Sequence, residues 1–320
     1  MPFHARRPGR TALASLVLLG CAAAGALAAE RAATPVLEPM QTRPAPVSLE
    51  LLNLRLVRMD GRIRNLSAIL ARPDARGRAP ADVPAVILVP DGLGLDQRIS
   101  ALAERLALEG WATLEIDIDP VSTDGHAPQG PFPLAAEADA REVVGDLALA
   151  LQELSEEPGI DPNRIAVVGL GTGGRAALLA GSEAAMSHEL DTFGPRFAAH
   201  AALYPGCGPL LAEGFGNPAP WSSAPAAAFH AGQDAQNANA ACETLVNALA
   251  TRRRHPALWH VYPTATYAWD LGAAMGQTAI RLANLGPPAV PVAPAFDIAE
   301  DASSRLIAFL RPILGPPGRR

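Results

Sequence analysis

The chain has 320 residues, 49% of them hydrophobic and 18% charged, and a formal net charge of −6. That balance excludes a disordered chain and leaves room for one large α/β core or two modest ones. With all 26 basic residues arginine, no basic stripe and an acidic excess, it also argues against nucleic acid or anionic membrane surfaces as partners.

Arg6, Arg7 and Arg10 form a positive n-region, Ala12 to Gly20 an apolar h-region, and Ala26-Leu27-Ala28 an A-x-A cleavage site. Residues 1–28 are therefore predicted to be a bacterial signal peptide, giving a periplasmic or secreted protein. Gly20 and Gly25 interrupt the apolar run, so no transmembrane span is expected in the mature chain. Leu18-Leu19-Gly20-Cys21 also resembles a lipobox, which would place a lipid anchor on Cys21, whereas Arg6-Arg7 lacks the continuation of a twin-arginine signal. Cleavage after Ala28 removes three arginines and no acid, taking the charge from −6 to −9. Two cysteines then remain, Cys207 and Cys242, and an oxidising compartment predicts that they pair. Too few ligands cluster to hold a metal, and no cofactor is expected.

Residues 29–47 are Pro-rich and aperiodic and read as a linker; residues 48–315 read as one domain. Leu49 to Arg58 alternates apolar and polar residues, Asp60-Gly61 signals a hairpin turn, and Ile63 to Ala71 is a second strand. From Pro84 strands and helices alternate. Ala85 to Val89 is a buried strand; the Asp91-Gly92-Leu93-Gly94 turn follows, and Asp96 caps a helix that runs through Leu108 and stops at Gly110. Next come a strand from Trp111 to Asp117, a long loop from Ile118 to Pro133 carrying His126, and an amphipathic helix from Ala135 to Leu154. After a strand beginning at Arg164 and a helix at Gly173, strands are expected at Ala198 to Leu203, Ala226 to Phe229 and Ala257 to Tyr262. Helices at Ala240 to Arg252 and Glu300 to Leu310 complete the pattern. The fold class is α/β, a mostly parallel, doubly wound sheet with an antiparallel N-terminal strand pair.

The stretch RIAVVGLGTGGRAALLA, Arg164 to Ala180, carries the chemical question. Gly169-Leu170-Gly171-Thr172-Gly173-Gly174 fits the dinucleotide fingerprint G-x-G-x-x-G. It also fits the frame of a nucleophile elbow, G-x-Nuc-x-G, with glycine in the nucleophile's place. A dinucleotide site would want an acid at the end of the next strand, and AAHAALYPGCG has none there.

An ordered series of segments supports the elbow: RNLSAILARP, PAVILVPDGLG, GIDPNRIAVVGLGTGG, ALYPGCGP, AAFHAGQDAQNANAACETL and VYPTATYAWD. In this order they resemble the dienelactone hydrolase family of α/β hydrolases over nearly all of the mature chain. The resemblance implies ester or lactone hydrolysis by a Cys or Ser nucleophile, a His base and an Asp. Carried over residue by residue, the nucleophile falls on Gly171, the histidine on Tyr267 and the acid on Asp234, with oxyanion donors at Gly92 and Thr172. Glycine has no attacking group, and a phenol with an ordinary pKa of ~10 is a poor base at neutral pH. Thr172, Ser182, His126 and Asp91 are the candidate substitutes, with His126 reading by default as a solvated loop histidine. Thr172 should turn its side chain away, Ser182 lies two turns along the helix, and Asp91 before Gly92 caps a turn. His200, His230 and His260 fall in or at the ends of strands, where a structural role is the default.

The sequence thus predicts a catalytically inactive, exported binding or scaffold protein. A donor-rich spot at the sheet's carboxyl end, with Tyr267 and Trp269 and, as a further candidate, Trp221, would hold a small carboxylate or ester; Trp221 and Trp269 read equally well as core residues. The alternatives are a hydrolase of small esters or lactones with an unrecognised nucleophile, and a dinucleotide-binding protein.

Overall fold

A computed structural model describes residues 47–58, 61–73, 82–118, 134–135, 140–188, 190, 194–216, 220–237, 239–251, 257–272, 279–282 and 290–316. The signal peptide, Cys21, nearly all of the linker and His126 lie outside the described residues.

The chain enters through a long hairpin, β1 (Val47–Val57) and β2 (Ile63–Pro73), paired antiparallel along its whole length. Gly61, at φ +82°, supports the turn, where its N–H donates to Arg58 O at 2.8 Å. Then β3 (Val83–Val89) delivers an unbroken apolar run into the sheet centre, with alternate residues feeding opposite faces. Asp96 caps α1 (Gln97–Leu108) as expected, accepting from the Arg98 N–H, and a cap of this kind contributes about 1 kcal/mol. Ile99, Leu102, Ala103 and Leu106 bury one face of α1, and Gly110 at φ +82° turns the chain into β4 (Ala112–Ile116).

Leu134–Ala135 departs from the expected helix: it forms β5, a two-residue strand in a small second sheet, and α2 begins later, at Ala140–Glu156. Leu134 and Ala135 follow Pro131 and Pro133 in sequence, and proline disfavours helix in its surroundings. The strand β6 (Ile160–Leu170) starts four residues before Arg164, because Ile160 already pairs with Val83 ahead of a register shift. It runs straight into α3 (Gly171–Leu179), then α4 (Glu183–Met186), β7 (Ala199–Leu203) and α5 (Cys207–Ala212). The chain closes with β8 (Ala226–Ala231), α6 (Asn239–Thr251), β9 (Ala257–Tyr262), β10 (Ala279–Leu282), β11 (Val290–Pro291) and α7 (Phe296–Leu314).

The main sheet has eight strands in the order β1-β2-β4-β3-β6-β7-β8-β9. Only β2 runs against its neighbours; β4, β3, β6, β7, β8 and β9 are parallel. One apolar core lies between the sheet and α2 and α3, the other between the sheet and α1 and α7. All the parallel strands end at one edge, and ligands of open α/β sheets bind at that edge. Cys207 and Cys242 form a disulfide, with Cα atoms 5.1 Å apart, that joins α5 to α6. Among the described residues no helix is long and apolar enough to cross a membrane.

Candidate active site

Five chain segments meet beyond the carboxyl ends of the parallel strands: Asp91 after β3, Gly171 after β6, Tyr204 after β7, Asp234 after β8 and Tyr267 after β9. The turn after β6 has the shape of an elbow. Gly171 sits at φ +48°, in the left-handed region where a side chain is strained, and the helix starts on it directly. The flanking glycines permit the close approach. A methyl group at Gly169 would strike the backbone of Gly173, and one at Gly173 would strike Pro90 O.

Gly171 and Tyr267 occupy one space. A Cβ built on Gly171 would collide with Tyr267 Oη, and would come within 2.9 Å of Asp91 Cβ and 3.1 Å of Tyr267 Cζ. The phenol thus stands where a side chain of residue 171 would begin. Its hydroxyl donates to Asp91 Oδ2 at 2.8 Å, and the residue is 1% exposed. Asp91 accepts three further hydrogen bonds: from Leu93 N–H at 3.0 Å, Arg98 Nη2 at 2.8 Å and Arg98 Nη1 at 2.9 Å. It therefore caps its turn and also forms a fully buried ion pair.

These contacts fix the proton. Burial alone would raise the Asp91 pKa, but the Arg98 charge and hydrogen bonds, the Leu93 amide and the Tyr267 hydroxyl together hold it below the usual carboxylate value. Burial, helped by the adjacent Asp91 charge, pushes the Tyr267 phenol well above its ordinary value. The proton stays on the phenol, so Tyr267 is no phenolate nucleophile at neutral pH, and Asp91 is a weak base for activating water.

Around this pair lies a second layer that the sequence did not announce. Arg98 Nη1 also donates to Tyr204 Oη at 3.1 Å, and Tyr204 Oη donates to Asp270 Oδ1 at 2.8 Å. The rings of Tyr204, Tyr267 and Trp269 pack edge to face, with centroids 5.1 and 4.8 Å from that of Tyr204. Tyr204 and Ala268 both hold positive φ, +41° and +49°, so backbone strain gathers here. Arg98 had one available signal: it lies four residues before Leu102 on the apolar stripe of α1, where a charge needs a buried partner.

The remaining residues named from the sequence are placed as follows. Thr172 is buried with its hydroxyl bonded to Arg175 Nη2 at 3.0 Å, and Gly92 lies half-exposed on the turn after β3. Arg175, itself buried, also donates to Pro205 O at 3.1 Å and so stitches α3 to the turn after β7. Asp234 is buried, with Oδ1 accepting from Gln236 N–H at 2.9 Å. Its loop runs beside the Tyr267 loop, where Gln233 N–H donates to Ala265 O at 2.8 Å. Ser182 caps α4 at the opposite end of α3, and Trp221 pairs with it there. The aromatic ring expected around the site therefore contains Tyr267 and Trp269 but not Trp221, because the chain after α5 crosses to the far side of α3. Burial lowers the His200 pKa to about 4 and that of His230 to about 3, so both stay neutral. His200 Nδ1 bonds to Ala177 O at 2.9 Å, while His230 stacks on Trp259 with Nδ1 3.7 Å from Cys207 Sγ. Among the described residues no group of three or more His, Cys, Asp or Glu could hold a metal ion.

Comparison with known proteins agrees with this geometry. The pattern of the dienelactone hydrolase family matches residues 66–275. A Bradyrhizobium protein named "Probable 2-oxo-3-(5-oxofuran-2-ylidene)propanoate lactonase" is 32% identical over 129 residues, 40% of this chain; the chain spans 50% of the length of that relative. An esterase from Thermogutta terrifontis, solved with propionate bound, is similar in fold at 14% identity and a TM-score of 0.58, covering 85% of this chain and 96% of its own. A dienelactone hydrolase-like promiscuous phosphotriesterase from metagenomic libraries is similar at 16% identity and a TM-score of 0.53, covering 84% and 99%.

Proposed function

We propose that this chain, which belongs to the dienelactone hydrolase family, is a hydrolase-like protein that has given up ester hydrolysis and acts as a binding or scaffold protein. One observation carries the reading. The Tyr267 hydroxyl fills the space of the side chain that Gly171 lacks, and Asp91 and Arg98 lock it there. A nucleophile and a base have thereby been replaced by a phenol and a backbone without side chain, and the proton distribution opposes any return to acyl transfer. In this reading the ligand is a small carboxylate or ester, met by the half-exposed Gly92 turn and the uncapped first turn of α3. Residues 1–28 direct export, with signal peptidase cleavage or lipidation of Cys21 as the two routes of processing. The disulfide between Cys207 and Cys242 supports an oxidising compartment.

The test is turnover of a short-chain aryl ester and a small lactone by the purified chain. The expected rate equals that of the Tyr267→Phe and Asp91→Asn variants, at background. Hydrolysis that disappears in either variant would establish the competing reading, an active hydrolase with an unconventional nucleophile.

A further inference from the structure

We propose that Asp270 is a proton-operated latch: its ionisation loosens the Tyr267–Gly272 segment from α1, and its protonation holds that segment closed over Asp91 and Gly171. The idea rests on charge counting. Two carboxylates bond one guanidinium, and a third, Asp270, reaches it through a tyrosine hydroxyl. Arg98 grips Asp91 through both terminal nitrogens and Asp96 through Nε, at 2.9 and 3.1 Å. Asp270 receives the Tyr204 hydroxyl, which itself accepts from Arg98, and a backbone N–H, and takes no hydrogen bond from Arg98 among those of the described residues. The groups that face Asp270 are Arg98 from α1, Tyr204 from the end of β7 and Asp91 from the turn after β3, the last a like charge.

The segment is held asymmetrically. On the α7 side a backbone bond anchors it, Ala295 N–H to Trp269 O at 2.8 Å, and the preceding residue is held through its side chain, with Ala293 N–H donating to Thr266 Oγ1 at 2.8 Å. On the α1 side it is held by side chains: Tyr267 on Asp91, Tyr204 on Asp270, and Gln97 packed against Gly272. Loosening therefore frees the α1 side while the α7 side stays attached. Ala268, within the segment, holds a positive φ. Asp270 is half-buried, so solvent protons reach it.

Burial raises the Asp270 pKa from 3.8 to about 6, with Arg98 and Tyr204 offsetting only part of that effect. The raised value means that the closed state binds the proton more tightly than a solvated open state. Closure is thus favoured below pH 4 and weakened as pH rises through 6, by about 100-fold over the whole range and about tenfold between pH 5.0 and 7.5.

Amide hydrogen exchange on the intact chain, corrected for the intrinsic pH dependence of exchange, reads this directly. Protection of residues 266–272 should fall about tenfold from pH 5.0 to 7.5, while β3, β6 and β7 stay unchanged. Asp270→Asn should keep the pH 5.0 protection at both values. Should that variant misfold, Tyr204→Phe serves instead, with weaker protection than the wild type at pH 7.5. Flat protection in the wild type, or an undiminished pH dependence in Asp270→Asn, overturns the latch.

Discussion

Among the described residues two buried arginine–aspartate clusters are built in opposite ways. At the outer edge Arg58 and Arg64 converge on Asp146 of α2, at 2.6 and 2.8 Å, and pin the β1–β2 hairpin to the helix. Gly145 makes room, since a methyl group there would collide with the Arg58 guanidinium. At the sheet's carboxyl end a single Arg98 serves Asp91 and Asp96, with Asp270 one hydroxyl away. Yet burial leaves the Asp146 pKa raised despite Arg64 and Arg58, whereas that of Asp91 ends lowered. At Asp91 the Arg98 charge, with four hydrogen bonds aimed at the carboxylate, two of them from Arg98 itself, outweighs burial. The edge cluster sets two arginines on one carboxylate and is an anchor; the central cluster sets two carboxylates on one arginine and holds a third through a tyrosine hydroxyl.

Breaking the central pair should cost most. Arg98→Ala strands Asp91 in the core, and a loss of about 3–5 kcal/mol is expected in chemical denaturation. Arg58→Ala should cost less, because Arg64 still faces Asp146. Next in size is Gly171→Ser, which meets both the Tyr267 hydroxyl and a positive φ, for about 2–4 kcal/mol. Adding Tyr267→Ala should recover more than ~1 kcal/mol of that loss in a double-mutant cycle, a coupling that additive sites do not show. Tyr267→Phe removes one hydrogen bond from a charged group that keeps three, and should cost about 1–2 kcal/mol. The smallest effect separates the clusters by sign. A lowered pKa makes Asp91 stabilising at neutral pH, a contribution lost as pH falls through its folded value. A raised pKa makes the Asp146 contribution grow as pH falls. Wild-type stability relative to Asp91→Asn should therefore shrink toward acid, and relative to Asp146→Asn should grow, each by at most ~1.4 kcal/mol per pH unit.

Much of the fold was legible because it rests on local patterns. The apolar run of β3, the Asp96 cap, the Gly110 stop and the span of β9 are encoded within a few residues of where they act. The late start of α2 was not, because β5 is defined by pairing with β10, nearly 150 residues away. For the site, the order of motifs was enough to name Gly171, Tyr267, Asp91 and Asp234, and the structure brings their segments to one end of the sheet. The sequence could not say that Gly171 and Tyr267 share one volume, or that Arg98 and Tyr204 complete the network. Those are contacts between residues 96 and 106 positions apart, invisible to spacing rules. Trp221 was open between the site and the core for the same reason, and it packs against the core.

The most direct test of the account is restoration of a hydrolase from this chain. Gly171→Ser combined with Tyr267→His puts a hydroxyl and an imidazole where the glycine and phenol now exclude both, with the Asp234 loop already alongside. The folded double variant should hydrolyse a short-chain aryl ester at least tenfold faster than the wild type or either single variant. Wild-type turnover equal to that of the double variant would contradict the claim that this elbow keeps its shape and has lost its reaction.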